Sequence, residues 1–257
     1  MTALGVALRL CALGLVFAAI LLPHLAALRF RPPWAAVAPL VFHRVFVRLF
    51  GLRVTETGAP PAPGVATLVL ANHVSWLDIP VIGSLHPLSF IAKSEVAGWP
   101  VIGLFARLQR TVFIDRQRRR ATAEVRDLVA HRLRKGDAMV LFAEGTTGDG
   151  SRVLPFRSSL VGAAQAALAD QSLERILLQP LAIAYRRRSG LPVTRRELPA
   201  IAWYGDMDLA SHLAGFVRAG PLDAVVVWGE PFAFAGDRKQ ATAAAEAEVR
   251  RLIRSLG

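Results

Sequence analysis

From residue 66 onward, short apolar runs of strand length alternate with longer stretches of helical periodicity, and few folds satisfy such a pattern. The runs 66–71, 89–92, 111–114, 138–143, 176–184 and 224–228 are dominated by aliphatic residues. The stretches 76–85, 95–107, 119–135, 157–169 and 240–255 read as helices between them. A strand cannot leave its backbone groups unpaired, and a helix with one apolar stripe must bury it. Strands that alternate with helices satisfy both needs by forming one sheet with helices on its faces. The predicted class is therefore α/β, a mixed sheet flanked by helices. The last stretch carries Val249, Leu252 and Ile253 on one stripe and reads as packing. The chain has no internal repeat.

The region before residue 66 is different. Residues 3–22 are apolar apart from Arg9, and the run extends to Leu28 before Arg29. Some 20 apolar residues suffice to cross a hydrocarbon core, and an arginine near one end can snorkel. The alternative is a cleaved signal peptide, but the first residues carry almost no charge, whereas Arg29, Arg31, Arg44, Arg48 and Arg53 come after the run. The positive-inside bias places the chain beyond residue 29 in the cytoplasm. Residues 34–50 form a second apolar segment, with Arg44 and Arg48 on one helical face. It reads as a helix in the headgroup zone, or else as a core helix capping the globular domain. Residues 54–65, rich in Gly, Pro and Thr, read as a linker. The expected organisation is thus N-terminal membrane-associated helices over 1–53 and a globular domain over 54–257.

Charge and cysteine content remove several function classes. Lys+Arg number 31 against 19 Asp+Glu, a formal charge of +12, and only Lys93, Lys135 and Lys239 are lysine. Such a surface suits anionic lipid or phosphate-bearing carriers. No zinc-finger spacing or aromatic-glycine RNA-binding signature accompanies it, so nucleic acid is not expected as a partner. Cys11 is the single cysteine, which rules out a disulfide within the chain. The histidines at 24, 43, 86, 131 and 212 are scattered, so no metal site is expected. A Gly-x-Ser-x-Gly nucleophile elbow is also missing.

Chemistry concentrates in Asn72-His73-Val74-Ser75-Trp76-Leu77-Asp78-Ile79-Pro80, directly after the run 66–71. A neutral imidazole can take a proton from a hydroxyl near pH 7. A carboxylate on its other nitrogen fixes the tautomer and stabilises the imidazolium. On one continuous helix, residues five apart point about 140° away from each other. A His73–Asp78 dyad therefore requires His73 in the turn before a helix and Asp78 about one turn inside it. The alternative is a capping or core histidine beside an unrelated aspartate.

Asn-His-x4-Asp resembles the first signature of the 1-acylglycerol-3-phosphate O-acyltransferase family. Three further segments resemble that family's later blocks in order: Val112-Phe113-Ile114-Asp115-Arg116, Phe142-Ala143-Glu144-Gly145-Thr146 and Leu178-Gln179-Pro180-Leu181-Ala182. Together they cover about residues 65 to 190. Two departures stand out. Arg110 occupies the position where the second block commonly opens with glycine, and Thr147 replaces the arginine that usually follows Glu-Gly-Thr. The combination looks more like the branch that includes lyso-ornithine-lipid acyltransferases.

The resemblance implies an O-acyltransferase in membrane lipid biosynthesis. It would move a fatty acyl group from acyl-carrier protein or coenzyme A to the hydroxyl of 1-acylglycerol-3-phosphate or a lyso-ornithine lipid. His73 and Asp78 are then the catalytic pair, and Arg116, Glu144, Gly145 and Thr146 are expected to bind substrate. A thioester is already activated, so no enzyme nucleophile, metal or further cofactor is expected. Membrane lipids are the expected partners, at the cytoplasmic side of the inner membrane. A lipid hydrolase in which His73 activates water, and a non-catalytic lipid-binding protein, remain as alternatives.

Overall fold

The computed structural model describes residues 3–30, 37–99, 101–114, 119–162 and 175–256. Its centre is a mixed sheet in which strands β1 (Leu52–Thr57), β8 (Leu222–Trp228), β6 (Leu177–Arg188), β2 (Thr67–Ala71), β5 (Ala138–Phe142), β3 (Ser89–Lys93) and β4 (Val112–Ile114) lie side by side in that order. The pairs from β6 to β4 and the pair β1–β8 are parallel; β8 runs antiparallel to β6. Two short strands, β7 (Leu191–Pro192) and β9 (Phe232–Ala233), add antiparallel pairs to β6. This is the predicted α/β class.

Alternation along the strands divides the core in two. Leu68 and Leu70 of β2, with Met139 and Leu141 of β5, face one layer. It contains Val129 and Leu133 of α5 (Arg119–Arg134) and Ala245, Val249 and Leu252 of the C-terminal helix (Arg238–Ser255). Val69, Ala71, Val140 and Phe142 face the opposite layer. That layer holds α2 (Val37–Leu49), α3 (Asp78–Gly83) and α6 (Leu209–Arg218). Strands buried on both faces read as continuous apolar runs, which is why the sequence reveals them. Each fully buried side chain of the size of Phe90, Phe216 or Leu77 contributes about 1.5–3 kcal/mol.

The N-terminal region does not stand apart. Helix α1 (Ala3–Phe30) presents a half-buried stripe towards α2 and α4 (Ile102–Leu108), while Leu4, Leu8, Leu15, Leu22 and Leu25 remain exposed. Phe105 of α4 lies 4.8 Å from both Phe17 and Phe42. His24 contacts the Leu108 carbonyl oxygen at 2.7 Å. Helix α2 packs on α3 at unusually close range. A Cβ added at Gly83 would lie 2.6 Å from Cδ2 of His43, so that position admits only glycine without a shift. Arg44 also donates to the carbonyls of Ser84 and Leu85, just past the C-terminus of α3. Of the two roles offered for residues 34–50, α2 fulfils that of a helix capping the domain.

Several expectations are corrected. Residues 54–57, read as linker, belong to β1, whose apolar–polar alternation matches an edge strand with one buried face. The helix expected at 95–107 is a 3₁₀ turn (Ser94–Gly98) followed by α4, because proline at 100 cannot continue a helix. Helix α6 has no counterpart among the expected helices; Asp208 caps it by accepting from the Ser211 N–H. Of the helix expected at 157–169, residues 163–169 lie outside the described residues; before them a 3₁₀ turn spans Ser158–Val161.

Candidate active site

The site forms where β2 ends. Asn72 closes the strand by a reciprocal pair of hydrogen bonds with Ile183 of β6: its Nδ2 donates to the Ile183 carbonyl and its Oδ1 accepts the Ile183 N–H. The chain then turns away from the sheet, which leaves His73 on the loop above Phe142 of β5. The two rings stack at 3.8 Å with an interplanar angle of 11°.

His73 Nδ1 lies 2.8 Å from Asp78 Oδ2, so the dyad is present. The geometry differs from expectation in one respect. Asp78 is the first residue of α3 and not one turn inside it, because the chain wraps around its carboxylate. Oδ2 accepts the N–H of Val74 at 2.7 Å and of Ser75 at 3.0 Å, and the Asp78 N–H donates to the Ser75 carbonyl. Oδ1 accepts the Tyr185 hydroxyl at 2.6 Å. Asp78 is fully buried, and four donors offset its desolvation. Burial and the neighbouring Asp78 carboxylate hold the Tyr185 hydroxyl well above its ordinary range, so it stays protonated and donates. An ionised carboxylate only accepts, so Nδ1 of His73 carries the proton and Nε2 its lone pair.

Glu144 stands behind the loop. It is 2% exposed, and its Oε1 accepts the His73 backbone N–H at 3.3 Å. Burial is the main cause that pushes its carboxyl up to about 8; the nearby Asp78 acts in the same direction. Glu144 is therefore largely neutral at pH 7. The next segment also braces His73, since Gly148 donates its N–H to the His73 carbonyl at 2.9 Å. Gly145 is buried at φ 73°, a conformation in which glycine has no steric cost, while Thr146 is exposed and Thr147 half-buried. The structure thus brings together His73, Asp78, Glu144, Gly145 and Thr146; Arg116 lies outside the described residues. Tyr185 and Phe142 also belong to the site, with no local sequence signal for their parts in it, as does Asn72, the first residue of the Asn-His-x4-Asp signature. Among the described residues no three His, Cys, Asp or Glu side chains cluster as metal ligands.

Arg110 has an explanation in the backbone. Its φ of 59° lies in the left-handed region, which accounts for glycine in that position elsewhere. Here its carbonyl accepts from the buried Arg132, which also binds Asp137 and Ser89.

The chain as a whole is similar to several known proteins. The profile of the family described as Acyltransferase matches residues 53–184. The chain is 46% identical over 230 residues to a protein of Brucella abortus named lyso-ornithine lipid O-acyltransferase, covering 89% of this chain and 86% of that one. It is 42% identical over 106 residues to a 1-acyl-sn-glycerol-3-phosphate acyltransferase of Neisseria gonorrhoeae, or 41% of this chain and 42% of that one. In fold it is similar to the crystal structure of the 1-acyl-sn-glycerophosphate acyltransferase of Thermotoga maritima, with a TM-score of 0.62, 21% identity and 97% of each chain covered.

Proposed function

The chain belongs to the acyltransferase family, and from that premise we propose that it acylates the free hydroxyl of a lyso-ornithine-type lipid. The acyl group comes from a thioester of acyl-carrier protein or coenzyme A, the only co-substrate the reaction needs. The observation that carries the reading is the His73–Asp78 pair at 2.8 Å, with Nε2 left free to act as base. Nε2 takes the proton of the acceptor hydroxyl as its oxygen attacks the thioester carbonyl. The C–O bond forms, the tetrahedral oxyanion collapses, the C–S bond breaks, and the imidazolium returns its proton to the departing thiolate. Asp78 stabilises the imidazolium between these steps. Glu144 and Gly148 hold the backbone of His73 in place, and Arg116 supplies a positive charge for the anionic substrate.

Acceptor choice derives from Thr147. Arginine is the side chain best matched to a phosphate, because it donates two parallel hydrogen bonds. Its replacement by threonine, on the loop that braces His73, favours an aminolipid head over 1-acylglycerol-3-phosphate. The name and the extent of similarity of the Brucella relative support the same choice. The exposed apolar stripe of α1, long enough to cross a membrane by length and composition, anchors the enzyme at the inner membrane with its domain on the cytoplasmic side. Helix α1 serves that attachment, while α2 and the sheet from β1 onward form the domain that carries the chemistry.

The test is purified protein with radiolabelled acyl thioester, offered lyso-ornithine lipid and lysophosphatidate side by side. Label is expected in the two-chain lipid, and chiefly in the ornithine product. Label recovered only as free fatty acid would instead identify a hydrolase.

A further inference from the structure

Between α1 and the dyad lies a second apolar surface that the family blocks do not include. Trp99, Val101 and Leu104 are 36%, 62% and 45% exposed, close together in sequence. Single exposed aliphatic residues are ordinary, but a cluster that includes tryptophan marks a contact surface. The patch is built firmly. Trp99 and Val101 accept the N–H groups of Gly103 and Phe105, which closes the first turn of α4 onto them. A Cβ at Gly103 would lie 2.4 Å from the Ala97 carbonyl oxygen, so helix and preceding turn are in direct contact.

Its neighbours on either side give it direction. At one end, Phe105 touches Phe17 of α1, whose outward face is a stripe of exposed leucines. At the other, Trp99 packs edge-on against Trp203 at 5.5 Å. Trp203 donates its backbone N–H to the carbonyl of Val74, the residue after His73, at 3.0 Å. Phe105, next to Leu104 in α4, and Trp99 thus link this surface to α1 on one side and, through Trp203, to the loop that follows His73 on the other. Exposed Lys93, Arg107 and Arg110 flank it, against one exposed acid, Glu95. Tryptophan beside aliphatic side chains with a basic margin is the composition that settles at a bilayer–water interface.

We propose that the Trp99–Leu104 surface contacts the bilayer independently of α1, and that with Trp203 it forms the route by which a single-chain lipid passes from the membrane to His73. The first half rests only on the surface; the second rests on the lysolipid acceptor of the preceding section. Continuity with α1 and the exposed apolar side chains favour a bilayer over an acidic carrier protein as the occupant.

The full-length protein is placed in vesicles of anionic and zwitterionic phospholipid whose acyl chains are brominated near the headgroup, and tryptophan quenching is compared with that of Trp99→Phe. Wild type should be quenched more strongly than the variant. Equal quenching overturns the contact. A fluorescence change of Trp99 with acyl-carrier protein in solution, and none with brominated lipid, overturns it in favour of a carrier dock. The route is tested with Val101→Asp combined with Leu104→Glu, changes at two exposed positions, with folding of the variant checked by circular dichroism. The loss of kcat/KM is expected to be at least about tenfold greater for acceptor embedded in vesicles than for a dispersed short-chain acceptor. Equal losses on both overturn the route. Absence of acyl transfer to any lysolipid by wild type would refute the acceptor reading, and the quenching result would still decide the membrane contact.

Discussion

Asp78→Asn removes a charge while leaving most of the surrounding hydrogen bonds possible. The wild-type carboxylate accepts from His73 Nδ1, the Val74 and Ser75 N–H groups and the Tyr185 hydroxyl. An asparagine whose oxygen faces the two backbone N–H groups keeps those contacts and turns its amide towards Tyr185, whose hydroxyl can accept. The loss is then mainly electrostatic. Two unit charges about 4 Å apart interact by about 4 kcal/mol at an effective dielectric of 20. The stabilisation of the imidazolium that forms during proton transfer is reduced by that amount. At about 1.4 kcal/mol per factor of ten, kcat should fall roughly 10³-fold. KM for either substrate should change little, because Asp78 is fully buried and touches neither. The assay is steady-state transfer from labelled thioester to lysolipid, with folding of the variant monitored by circular dichroism. A folded variant with kcat within a few-fold of wild type, or one whose whole defect lies in KM, would refute the role given to Asp78.

Three other perturbations test separate features. Thr147→Arg should shift kcat/KM towards lysophosphatidate over lyso-ornithine lipid by roughly tenfold or more, the value of one charge-assisted hydrogen bond of about 1.5–3 kcal/mol; an unchanged ratio would show that this position does not read the headgroup. Glu144, raised to about 8 by burial, gives the folded state a proton that the unfolded state releases near its ordinary 4.5. Its stabilising effect is complete below that lower value and is lost as pH rises to about 8, so Glu144→Gln should flatten the decline of Tm across this window; an unaltered slope would contradict the assignment. Deleting residues 1–30 should release much of the protein from membranes, leaving a remainder held by the Trp99–Leu104 surface and weakened by salt only through its basic margin, whereas deleting 1–50 should also destabilise the domain. The longer deletion removes Phe46, Val47 and Phe50 from the core at about 1.5–3 kcal/mol each; equal Tm values for the two truncations would contradict the packing of α2.

The strands of the central sheet are legible in the sequence because each is a continuous apolar run, and the dyad is legible because its partners lie only five positions apart. The features it conceals are long-range or disguised by their neighbours. Tyr185 reaches Asp78 across 107 positions, and nothing beside it in β6 marks a hydroxyl that caps a buried carboxylate. Phe142 is legible as a core residue, but its second role, as the plate beneath His73, depends on the register between β2 and β5. The alternation in Leu-Arg-Val-Thr-Glu-Thr is present in β1, yet the glycine and prolines just beyond it draw the segment into a linker. The position of Asp78 at the very start of α3 escapes a helical-spacing argument for a physical reason: its own carboxylate organises the turn that precedes it, a local preference that competes with the helix.

Conversion of His73 to alanine bears most directly on the claim that this histidine is the base for acyl transfer. Wild type and His73→Ala are compared at saturating acyl thioester and lyso-ornithine lipid, with product quantified as two-chain lipid and folding checked in parallel. The predicted result is a fall in kcat of roughly 10²–10⁴-fold with near-native structure, the usual contribution of a positioned general base. A folded His73→Ala enzyme that turns over at close to the wild-type rate would contradict it.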